Sequence, residues 1–217
     1  MADFALRRRT MVDTQIRPSD VTKFPIIQAM LEVPREAFVP EGRREAAYIG
    51  EHIALDEGRV ILDPRVQAKM LDALEIEPQD VALDLGCGLG YSAALLAHMC
   101  EAVVAVEEDA ARVTEAQTTL SERGFDNAAV LEGDLAEGAA KHGPYDVILV
   151  QGGVETIPKA LTDQLKDGGR IAAIFMDGAL GTVRVGLRSG DRISWRDAFN
   201  AGAPLLNGFR KAPAFQF

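Results

Sequence analysis

Short runs of apolar residues alternate with stretches of helical spacing from about residue 81 onwards. The apolar runs cover residues 81–85, 102–106, 127–131, 145–150 and 170–175. Unbroken apolar runs of this length are typical of parallel strands in a sheet that helices cover on both faces. Helices are predicted between them, over residues 92–99, 109–123 and 158–165. The pattern therefore predicts an α/β fold with a doubly wound, mostly parallel sheet, whose ligand binds at the carboxyl ends of the strands.

Two further elements flank this predicted sheet. Residues 19–32 form a predicted helix, with Ser19 or Asp20 as its N-cap. Its apolar face comprises Val21, Phe24, Ile27 and Met30. Residues 182–188 and 192–199 alternate in hydrophobicity around a Ser-Gly-Asp turn, which predicts a closing hairpin. We interpret both as packing elements and expect Trp195, in the hairpin, to lie in the core.

Length and composition indicate one globular domain. The chain has 217 residues, of which 47% are hydrophobic and 26% are charged, an ordinary composition for a folded domain. We expect residues 1–75 to form a cap region and residues 76–217 to form the core. The net charge of -10 repels phosphate groups, so neither nucleic acid nor a membrane surface is expected as a partner. No pattern in the sequence specifies an oligomeric state.

The cysteines and histidines favour neither a disulfide framework nor a metal site. The cysteines lack CxxC spacing, and the histidines are far apart in sequence. These residues are Cys87, Cys100, His52, His98 and His142. The longest apolar runs, such as residues 147–150, are too short to span a bilayer, and the arginines at 7–9 precede no apolar stretch of a secretory signal. We therefore expect a cytoplasmic protein without a bound metal.

The most informative segment is a glycine-rich loop after the first predicted strand of the core. It contains Gly86, Gly88 and Gly90, and Asp84 precedes it. Glycines here let the backbone turn tightly and approach a ligand closely, and the helix that follows offers free N–H groups. A dinucleotide-binding loop requires glycine at position 91, where this chain has Tyr91. The spacing, with an acid able to face a cationic amino-acid group, favours S-adenosylmethionine (AdoMet).

Acidic residues follow the next two predicted strands. Glu107 lies 21 residues after Gly86, where a carboxylate can accept hydrogen bonds from both hydroxyls of a ribose. Glu108 would serve after a small shift, although we favour its interpretation as a solvated acid at a helix start. Asp134, which follows Gly133, is a candidate acceptor for an adenine amino group. Together the three strand ends predict a nucleoside pocket, and a glycine turn without a cofactor is the structural alternative.

Longer segments of the chain resemble one enzyme family. They are residues 26–39, residues 47–70, the glycine loop at 86–91, the pairs at 106–107 and 133–134, and the stretch 158–169. These segments resemble those of the protein-L-isoaspartate O-methyltransferases, and Val-Pro-Arg-Glu-x-Phe-Val at 33–39 is quite specific to that family. The resemblance implies a Rossmann-like AdoMet-dependent methyltransferase fold with an N-terminal helical cap. It also implies methyl transfer from AdoMet to the α-carboxylate of isoaspartyl residues in damaged proteins, which begins their repair.

The candidate cofactor-binding residues combine the polar strand ends with the positions of the family's motifs. They are Asp84, Gly86, Cys87, Gly88, Gly90, Tyr91, Glu107, Glu108, Asp134, Leu135 and Gln151. We interpret Cys87 as a small packing residue near the cofactor, since no paired His motif would make it a nucleophile. By analogy with the family, residues 200–209 are expected to close over the acceptor side.

The loop that ends at Pro64 departs from the family pattern. Where the family has Asp, Gln, Thr and Ser, the replacements are Gly50, Arg59, Val60 and Leu62. The family attributes substrate positioning and catalysis to that serine, whereas leucine has neither a donor nor an acceptor. At the fourth strand end, Gln151 and the following glycine replace a usual Thr-Ala. The cofactor half of the site is kept, while the acceptor half is changed.

Two polar residues that are new in this loop are the candidate catalytic residues. Arg59 would clamp an acceptor carboxylate through two hydrogen bonds; alternatively, it is a surface arginine paired with Glu57 or Asp63. Asp63 would act as a base for a hydroxyl or amine acceptor; alternatively, and by our preference, it caps the helix that begins at Pro64.

Three functions stay open on the sequence. The leading one is methyl transfer to isoaspartyl carboxylates, with a protein or peptide as substrate. The second keeps the methyltransferase class but changes the acceptor to a different peptide or a small molecule. The third is an AdoMet-binding module without turnover.

Overall fold

A seven-stranded sheet forms the centre of the structure, a computed structural model that describes residues 3–56 and 58–211. The strands in chain order are β1 (Ile53–Asp56), β2 (Arg59–Ile61), β3 (Val81–Leu85), β4 (Ala102–Glu107), β5 (Ala128–Glu132), β6 (Tyr145–Val154), β7 (Leu165–Asp177), β8 (Leu180–Ser189) and β9 (Arg192–Asn200). The central sheet has the order β5-β4-β3-β6-β7-β8-β9, and β1 and β2 form a separate antiparallel pair.

Helices precede the sheet and connect its strands. They are α1 (Phe4–Met11), α2 (Phe24–Glu32), α3 (Pro64–Leu74), α4 (Tyr91–Ala97), α5 (Ala110–Glu122) and α6 (Lys159–Thr162). A π-helical turn over Val12–Ile16 continues α1, and shorter 3₁₀ turns follow it. In the described part of the chain, no helix has the length and apolar character that crossing a bilayer requires.

The chain reverses its direction of travel across the sheet after β3. From β3 it adds β4 and β5 on one side, and then it returns to add β6 and β7 on the other, all of them parallel. Only β8 and β9 run antiparallel to their neighbours. Such a reversal leaves a crevice at the carboxyl ends of the strands. The predicted doubly wound, mostly parallel sheet is confirmed.

The sheet is buried on both faces, as its unbroken apolar strands predict. Along β3, the side chain of Ala82 joins one buried cluster, while those of Leu83 and Leu85 join the cluster on the opposite face. The first cluster includes the helices of the N-terminal region together with α4 and parts of α5. The second includes α6 and apolar residues of the C-terminal segment. Successive side chains of a strand point to opposite faces, so each strand contributes to both clusters.

The start that was predicted for the helix over residues 19–32 is wrong. The helix begins at Phe24, and Lys23 is its N-cap. Ser19 instead donates its hydroxyl to the carbonyl of Gln15 at 2.8 Å and so belongs to the preceding helical segment. Asp20 has a left-handed backbone that ends this segment. The predicted apolar face is also wrong at Phe24, which is 72% exposed.

The predicted closing hairpin is confirmed, but the position of its tryptophan is not. Strands β8 and β9 pair in antiparallel register around Gly190. Trp195 is 37% exposed and packs edge-on against Phe175, with ring centroids 4.9 Å apart. It lies on β9, the outermost strand, whose residues have a neighbouring strand on one side only. The prediction of a core tryptophan is therefore wrong.

The helix predicted for residues 158–165 is shorter in the structure. It covers Lys159–Thr162, and Leu165 already pairs with Tyr145 as the first residue of β7. The N-terminal region is also less purely helical than the cap that the resemblance implies, because it contains the β1–β2 pair.

A buried arginine links the parts of the N-terminal region. Arg35 has no exposed surface. Its Nε donates to the carbonyl of Ala47 at 2.7 Å, and its Nη2 donates to the carbonyl of Leu62 at 2.8 Å. Its guanidinium lies 4.7 Å from the centre of the Tyr91 ring, a cation–π contact. The segment that leads into α3 is thus fixed to the N-terminal region and to the first residue of α4.

Asp63 caps α3, as we preferred on the sequence. Its Oδ1 accepts hydrogen bonds from the backbone N–H groups of Arg65 (2.6 Å) and Val66 (3.2 Å). Its own backbone N–H donates to His52 Nδ1 at 2.8 Å. The side chain therefore satisfies N–H groups of the first helical turn that have no partner within the helix.

Replacing this cap is expected to destabilise the fold. We expect Asp63→Ala to lower the free energy of unfolding by about 1 kcal/mol, the usual cost of losing a side-chain cap. Asp63→Asn keeps an oxygen that can accept these bonds and should lie close to the unchanged protein. Urea denaturation of the three proteins at one pH measures the difference, and equal stability of the alanine and asparagine variants would contradict the cap.

Candidate functional site

The glycine loop connects β3 to α4 at the point where the chain reverses across the sheet. Gly86, Gly88 and Gly90 have positive φ angles of 79°, 58° and 95°, which L side chains rarely adopt. The N–H of Gly86 donates to the carbonyl of Val106 at 2.8 Å, and the N–H of Gly90 donates to that of Cys87 at 2.9 Å. The first bond fixes the loop beside the carboxyl end of β4.

Glu107, the last residue of β4, collects hydrogen bonds from three directions. It has no exposed surface. Arg59 donates from Nη1 to Oε1 at 2.9 Å and from Nη2 to Oε2 at 2.6 Å. Gly88 N–H donates to Oε2 at 2.9 Å, and Arg112 Nε donates to Oε1 at 3.0 Å. Burial by itself would raise the pKa of Glu107, but these donors and charges, Arg59 foremost, hold it below its ordinary value.

The structure contradicts one of the two sequence interpretations of Arg59, and the other, a clamp for an acceptor carboxylate, stays a prediction. It is 5% exposed, so the prediction of a surface arginine paired with Asp63 is wrong; its other suggested partner, Glu57, lies outside the described residues. The carboxylates that it binds belong to its own chain, since Nη1 also donates to Glu108 Oε1 at 3.0 Å. Its main partner, Glu107, is 48 positions away in sequence, and no local pattern connects the two.

Asp84 is the second buried acid of the site. It accepts a hydrogen bond from Ser92 Oγ at 2.5 Å on one oxygen and from Gln151 Nε2 at 3.1 Å on the other. The pKa of Asp84 is raised to about 7, chiefly by burial and to a smaller extent by the nearby charge of Glu107, while the two hydrogen bonds act in the opposite direction. We expected this acid to face a cationic ligand group; in the structure both of its oxygens bind groups of the chain.

A cavity opens at the carboxyl ends of β4 and β5. It encloses about 380 Å³ and is lined by Glu108, Glu132, Gly133, Asp134, Asn207 and Gly208. Asn207 Nδ2 lies 3.3 Å from each carboxylate oxygen of Glu108. Leu135, another candidate, is buried in the core beneath this edge. The structure thus brings two acids that were predicted from different strand ends, Glu108 and Asp134, to one cavity.

Apolar and basic side chains of the chain itself cover the glycine loop. A Cβ added at Gly88 would lie 2.7 Å from Leu55 Cδ1, and one added at Gly86 would lie 3.3 Å from Arg59 Nη2. Both of these side chains come from the β1–β2 pair. The space directly above the loop is therefore filled, in contrast to the open cavity beside it.

Two residues of the loop segment face the protein interior. Tyr91 is 1% exposed, and its ring packs against Phe38 at a centroid distance of 6.2 Å. Its side chain thus contacts the N-terminal region, which leaves its backbone N–H as the group that a ligand at the loop would meet. Cys87 is also buried, and burial raises the pKa of its thiol well above its ordinary value. Both properties suit the interpretation of Cys87 as a packing residue.

The changed acceptor loop is apolar where the family has a hydroxyl. Leu62 is 1% exposed, so its side chain belongs to the core. Val60 is half-buried, and Gly50 is exposed beside the amide of Gln15. Among the described residues of the loop that ends at Pro64, Arg59 is the cation that lies nearest the glycine loop. Its guanidinium is bound to Glu107.

The C-terminal segment over residues 200–209 runs across the carboxyl ends of the strands. Gly153 N–H donates to the carbonyl of Pro204 at 2.8 Å, and Leu206 N–H donates to the carbonyl of Gly153 at 2.9 Å. His52 Nε2 lies 2.9 Å from the carbonyl oxygen of Gly202. These bonds fix the segment to the end of β6 and to the loop before β1.

Sequence reasoning missed four residues of this site. They are Leu55, Arg112, Leu206 and Asn207. Leu55 reaches the site from β1, Arg112 from α5, and the neighbouring Leu206 and Asn207 from the C-terminal segment; none belongs to a motif. Among the residues that the structure describes, no group of three or more His, Cys, Asp or Glu side chains is arranged to bind a metal ion.

The fold and the site together define a class of protein. A parallel sheet that reverses at β3, a glycine loop after that strand and an acid at the end of β4 are the features of a Rossmann-like domain that binds a nucleoside cofactor. The Gly-x-Gly-x-Gly spacing places it with the AdoMet-dependent methyltransferases rather than with the dinucleotide-binding enzymes.

Comparison with known proteins identifies the family. The family described as Protein-L-isoaspartate(D-aspartate) O-methyltransferase (PCMT) matches residues 7–178. A protein-L-isoaspartate O-methyltransferase of Koribacter versatilis is 38% identical over 171 residues, which are 79% of this chain and 77% of that protein. A protein-L-isoaspartate O-methyltransferase 2 of Pelobacter propionicus is 38% identical over 165 residues, 76% of this chain and 73% of that protein. The chain belongs to the protein-L-isoaspartate(D-aspartate) O-methyltransferase family.

Two solved structures share the fold. A protein-L-isoaspartate O-methyltransferase matches with a TM-score of 0.80 at 22% identity, over 93% of this chain and 66% of that one. A putative protein-L-isoaspartate O-methyltransferase from Plasmodium falciparum, in complex with S-adenosyl-L-homocysteine, matches with a TM-score of 0.79 at 18% identity, over 95% of this chain and 99% of that one. At these identities the likeness establishes the fold.

AdoMet is the cofactor of this family, and the donor set of the site fits it. The glycine loop has the backbone conformation that close approach of a ligand requires, Glu107 ends β4 beside it, and a cavity opens at the same edge of the sheet. Leu55 and Arg59 lie against Gly88 and Gly86 of this loop.

The raised pKa of Asp84 predicts a pH-dependent stability. The pKa of Asp84 is about 7 in the folded chain and 3.8 without the protein's influence. Between these two pH values the folded state binds a proton that the unfolded state does not bind. The free energy of unfolding therefore falls as the pH rises through this range. Asp84→Asn removes the ionisation and can still bond Ser92 and Gln151. At about pH 8 we expect this variant to be the more stable protein by at least about 1 kcal/mol, and at about pH 4 the advantage should vanish.

Urea denaturation across this pH range measures the effect. The exposed Asp126→Asn serves as a matched control, because it makes the same chemical change outside the site. If stability of Asp84→Asn and of the unchanged protein varied in parallel with pH, the raised pKa would be refuted.

Proposed function

We propose that this chain transfers the methyl group of AdoMet to the α-carboxylate of isoaspartyl residues in damaged proteins. The relatives that it matches over most of its length carry this activity in their names. The observation that carries the proposal is the carboxylate of Glu107, held at the end of β4 by the N–H of Gly88 in the glycine loop. A carboxylate in this position is the usual partner of a ribose in open α/β sheets.

The cofactor is assigned to residues at four strand ends and in the glycine loop. The proposed binding residues are Asp84, Gly86, Cys87, Gly88, Gly90, Tyr91, Glu107, Glu108, Asp134, Leu135 and Gln151. In this assignment Glu107 accepts hydrogen bonds from the ribose, while Glu108 and Asp134 face the adenine ring across the open cavity. The bound cofactor supplies a methyl group that its positively charged sulfur already activates.

The chain's part in the chemistry is then to hold and enclose its substrates. An acceptor carboxylate is already a nucleophile, so no side chain has to remove a proton from it. Asp63, proposed from the sequence as a base, is engaged in capping α3 and fixes the loop instead. Leu55 and Leu62 are apolar side chains of the same loop. Alignment of the reacting atoms and exclusion of water are the contributions that such a site makes to the rate.

We further propose one domain over residues 1–217, in which residues 1–75 cap a cofactor-binding core over residues 76–217. Its substrates would be proteins or peptides, and it would act in the cytoplasm. Both cysteines are unpaired and buried, which suits a reducing compartment. The net charge of -10 disfavours a nucleic-acid substrate. A different acceptor and a module without turnover find no support in the names of the relatives.

The test is the transfer of a labelled methyl group from AdoMet to an isoaspartyl peptide. We expect label in this peptide and not in the matched aspartyl peptide, because only the isoaspartyl linkage leaves an α-carboxylate free, attached directly to Cα, whereas an aspartyl residue carries its free carboxylate one methylene further out. The ester should then release labelled methanol as it closes to the succinimide. Equal transfer to both peptides would contradict the proposal. So would transfer to neither by protein that binds S-adenosylhomocysteine in calorimetry.

A further inference from the structure

Both carboxylate oxygens of Glu107 already accept hydrogen bonds from other groups of the chain. Oε1 accepts hydrogen bonds from Arg59, from Arg112 and, at 3.1 Å, from the N–H of Glu108. Oε2 accepts from Arg59 and from the N–H of Gly88. An ionised carboxylate has about four lone-pair positions. The N–H of Asp109 also lies within hydrogen-bond distance of Oε1, at 3.4 Å. The donors already exceed the lone-pair positions, so a ribose hydroxyl binds Glu107 only when a present donor leaves.

Arg59 is the donor that can leave. The donors from Gly88 and Glu108 are backbone groups of the loop and of the strand end. Arg112, like Arg59, has a second carboxylate partner, but it extends from α5, which packs against β4 and β5 of the central sheet. Arg59 extends instead from β2, which pairs only with β1 and not with the central sheet. Ile53 and Ile61 anchor this pair through their buried side chains, but its backbone has no partner strand in the central sheet, so it is less firmly held than the backbone of the other donors.

The position of Arg59 on Glu107 also leaves one of its own groups without a bond. Its Nε is buried and has no hydrogen-bond partner among the described residues. The same guanidinium lies over the glycine loop, with Nη2 3.3 Å from where a Cβ of Gly86 would be. Arg59 thus covers the glycine loop and occupies the carboxylate of Glu107 at the same time. In this position its buried Nε lacks a hydrogen bond within the described part of the chain, which costs free energy.

Once Arg59 leaves Glu107, its guanidinium needs another anionic partner. In this structure it makes the two-pronged contact that guanidinium groups form with carboxylates. Glu108, which is 27% exposed at its side chain, accounts for only one further bond. The acceptor of the proposed reaction carries a carboxylate, which has the same shape and charge as the group that Arg59 leaves.

We propose that Arg59 exchanges carboxylates: it binds Glu107 when the site is empty, and it binds the carboxylate of the acceptor once the cofactor's ribose takes Glu107. The inference rests on the proposed function and names the residue that selects an anionic acceptor. It makes Arg59 a competitor of the cofactor and makes the binding of the acceptor dependent on the cofactor. The absence of the family's serine at position 62 is then offset by an arginine three positions earlier.

The first experiment measures the affinity of S-adenosylhomocysteine by calorimetry. Arg59→Gln should bind it at least about tenfold more tightly than the unchanged protein, because the competitor is removed. Arg65→Gln, which removes the same charge from an exposed position nearby, should bind it as the unchanged protein does. Arg59→Lys keeps the charge, loses the two-pronged contact and should bind several-fold more tightly, which provides the same test if the glutamine variant does not fold. An affinity of the Arg59 variants equal to or weaker than that of the unchanged protein would overturn the proposal.

The second experiment measures binding of an isoaspartyl peptide with and without S-adenosylhomocysteine. The unchanged protein should bind the peptide at least about tenfold more tightly when S-adenosylhomocysteine is present, and Arg59→Gln should lose this gain. Peptide binding that ignores S-adenosylhomocysteine, or that survives in Arg59→Gln, would overturn the exchange. Neither experiment requires turnover. A failure of the carboxylate exchange therefore shows in the binding measurements, whereas a failure of the proposed function shows as an absence of methyl transfer by the unchanged protein.

Discussion

The buried contact between Arg59 and Glu107 sets the arrangement of the whole site. A carboxylate without exposed surface is stable only when donors compensate for its lost hydration. Here the donors come from the β1–β2 pair, from the glycine loop and from α5, so one charge binds three separate parts of the chain to the end of β4. The β1–β2 pair has no backbone ladder to the central sheet. Electrostatic compensation therefore holds this pair over the loop, together with the burial of Ile53 and Ile61 in the core.

Two buried acids beside the same loop respond to their surroundings in opposite directions. Glu107 has two guanidinium groups within hydrogen-bond distance, and its pKa is lowered. Asp84 has only a hydroxyl and an amide as partners, and burial raises its pKa to about 7. Neutral donors bind a carboxylate but do not balance its charge. The site thereby concentrates its negative charge on Glu107, at the end of β4.

The sheet and the cofactor side were predictable because they follow local rules. Apolar runs give the strands, parallel strands end at one edge, and so acids that are distant in sequence, such as Glu108 and Asp134, meet at one cavity. The partner of Arg59 was not predictable, since it depends on how a short pair of strands folds over the sheet. Likewise, α2 starts at Phe24 because Ser19 bonds backwards to the preceding turn, and Trp195 is partly exposed because its strand is outermost. Both outcomes depend on neighbours that hydrophobic spacing does not reveal.

The contacts of Arg35 explain how the acceptor loop was free to change its chemistry. This buried guanidinium holds the main-chain carbonyls of Ala47 and Leu62, and neither bond uses a side chain at those positions. The path of the backbone at position 62 is thus independent of which residue stands there. Hydroxyl and hydrocarbon side chains at position 62 are interchangeable as far as this anchor is concerned, because the guanidinium bonds only to the main chain there.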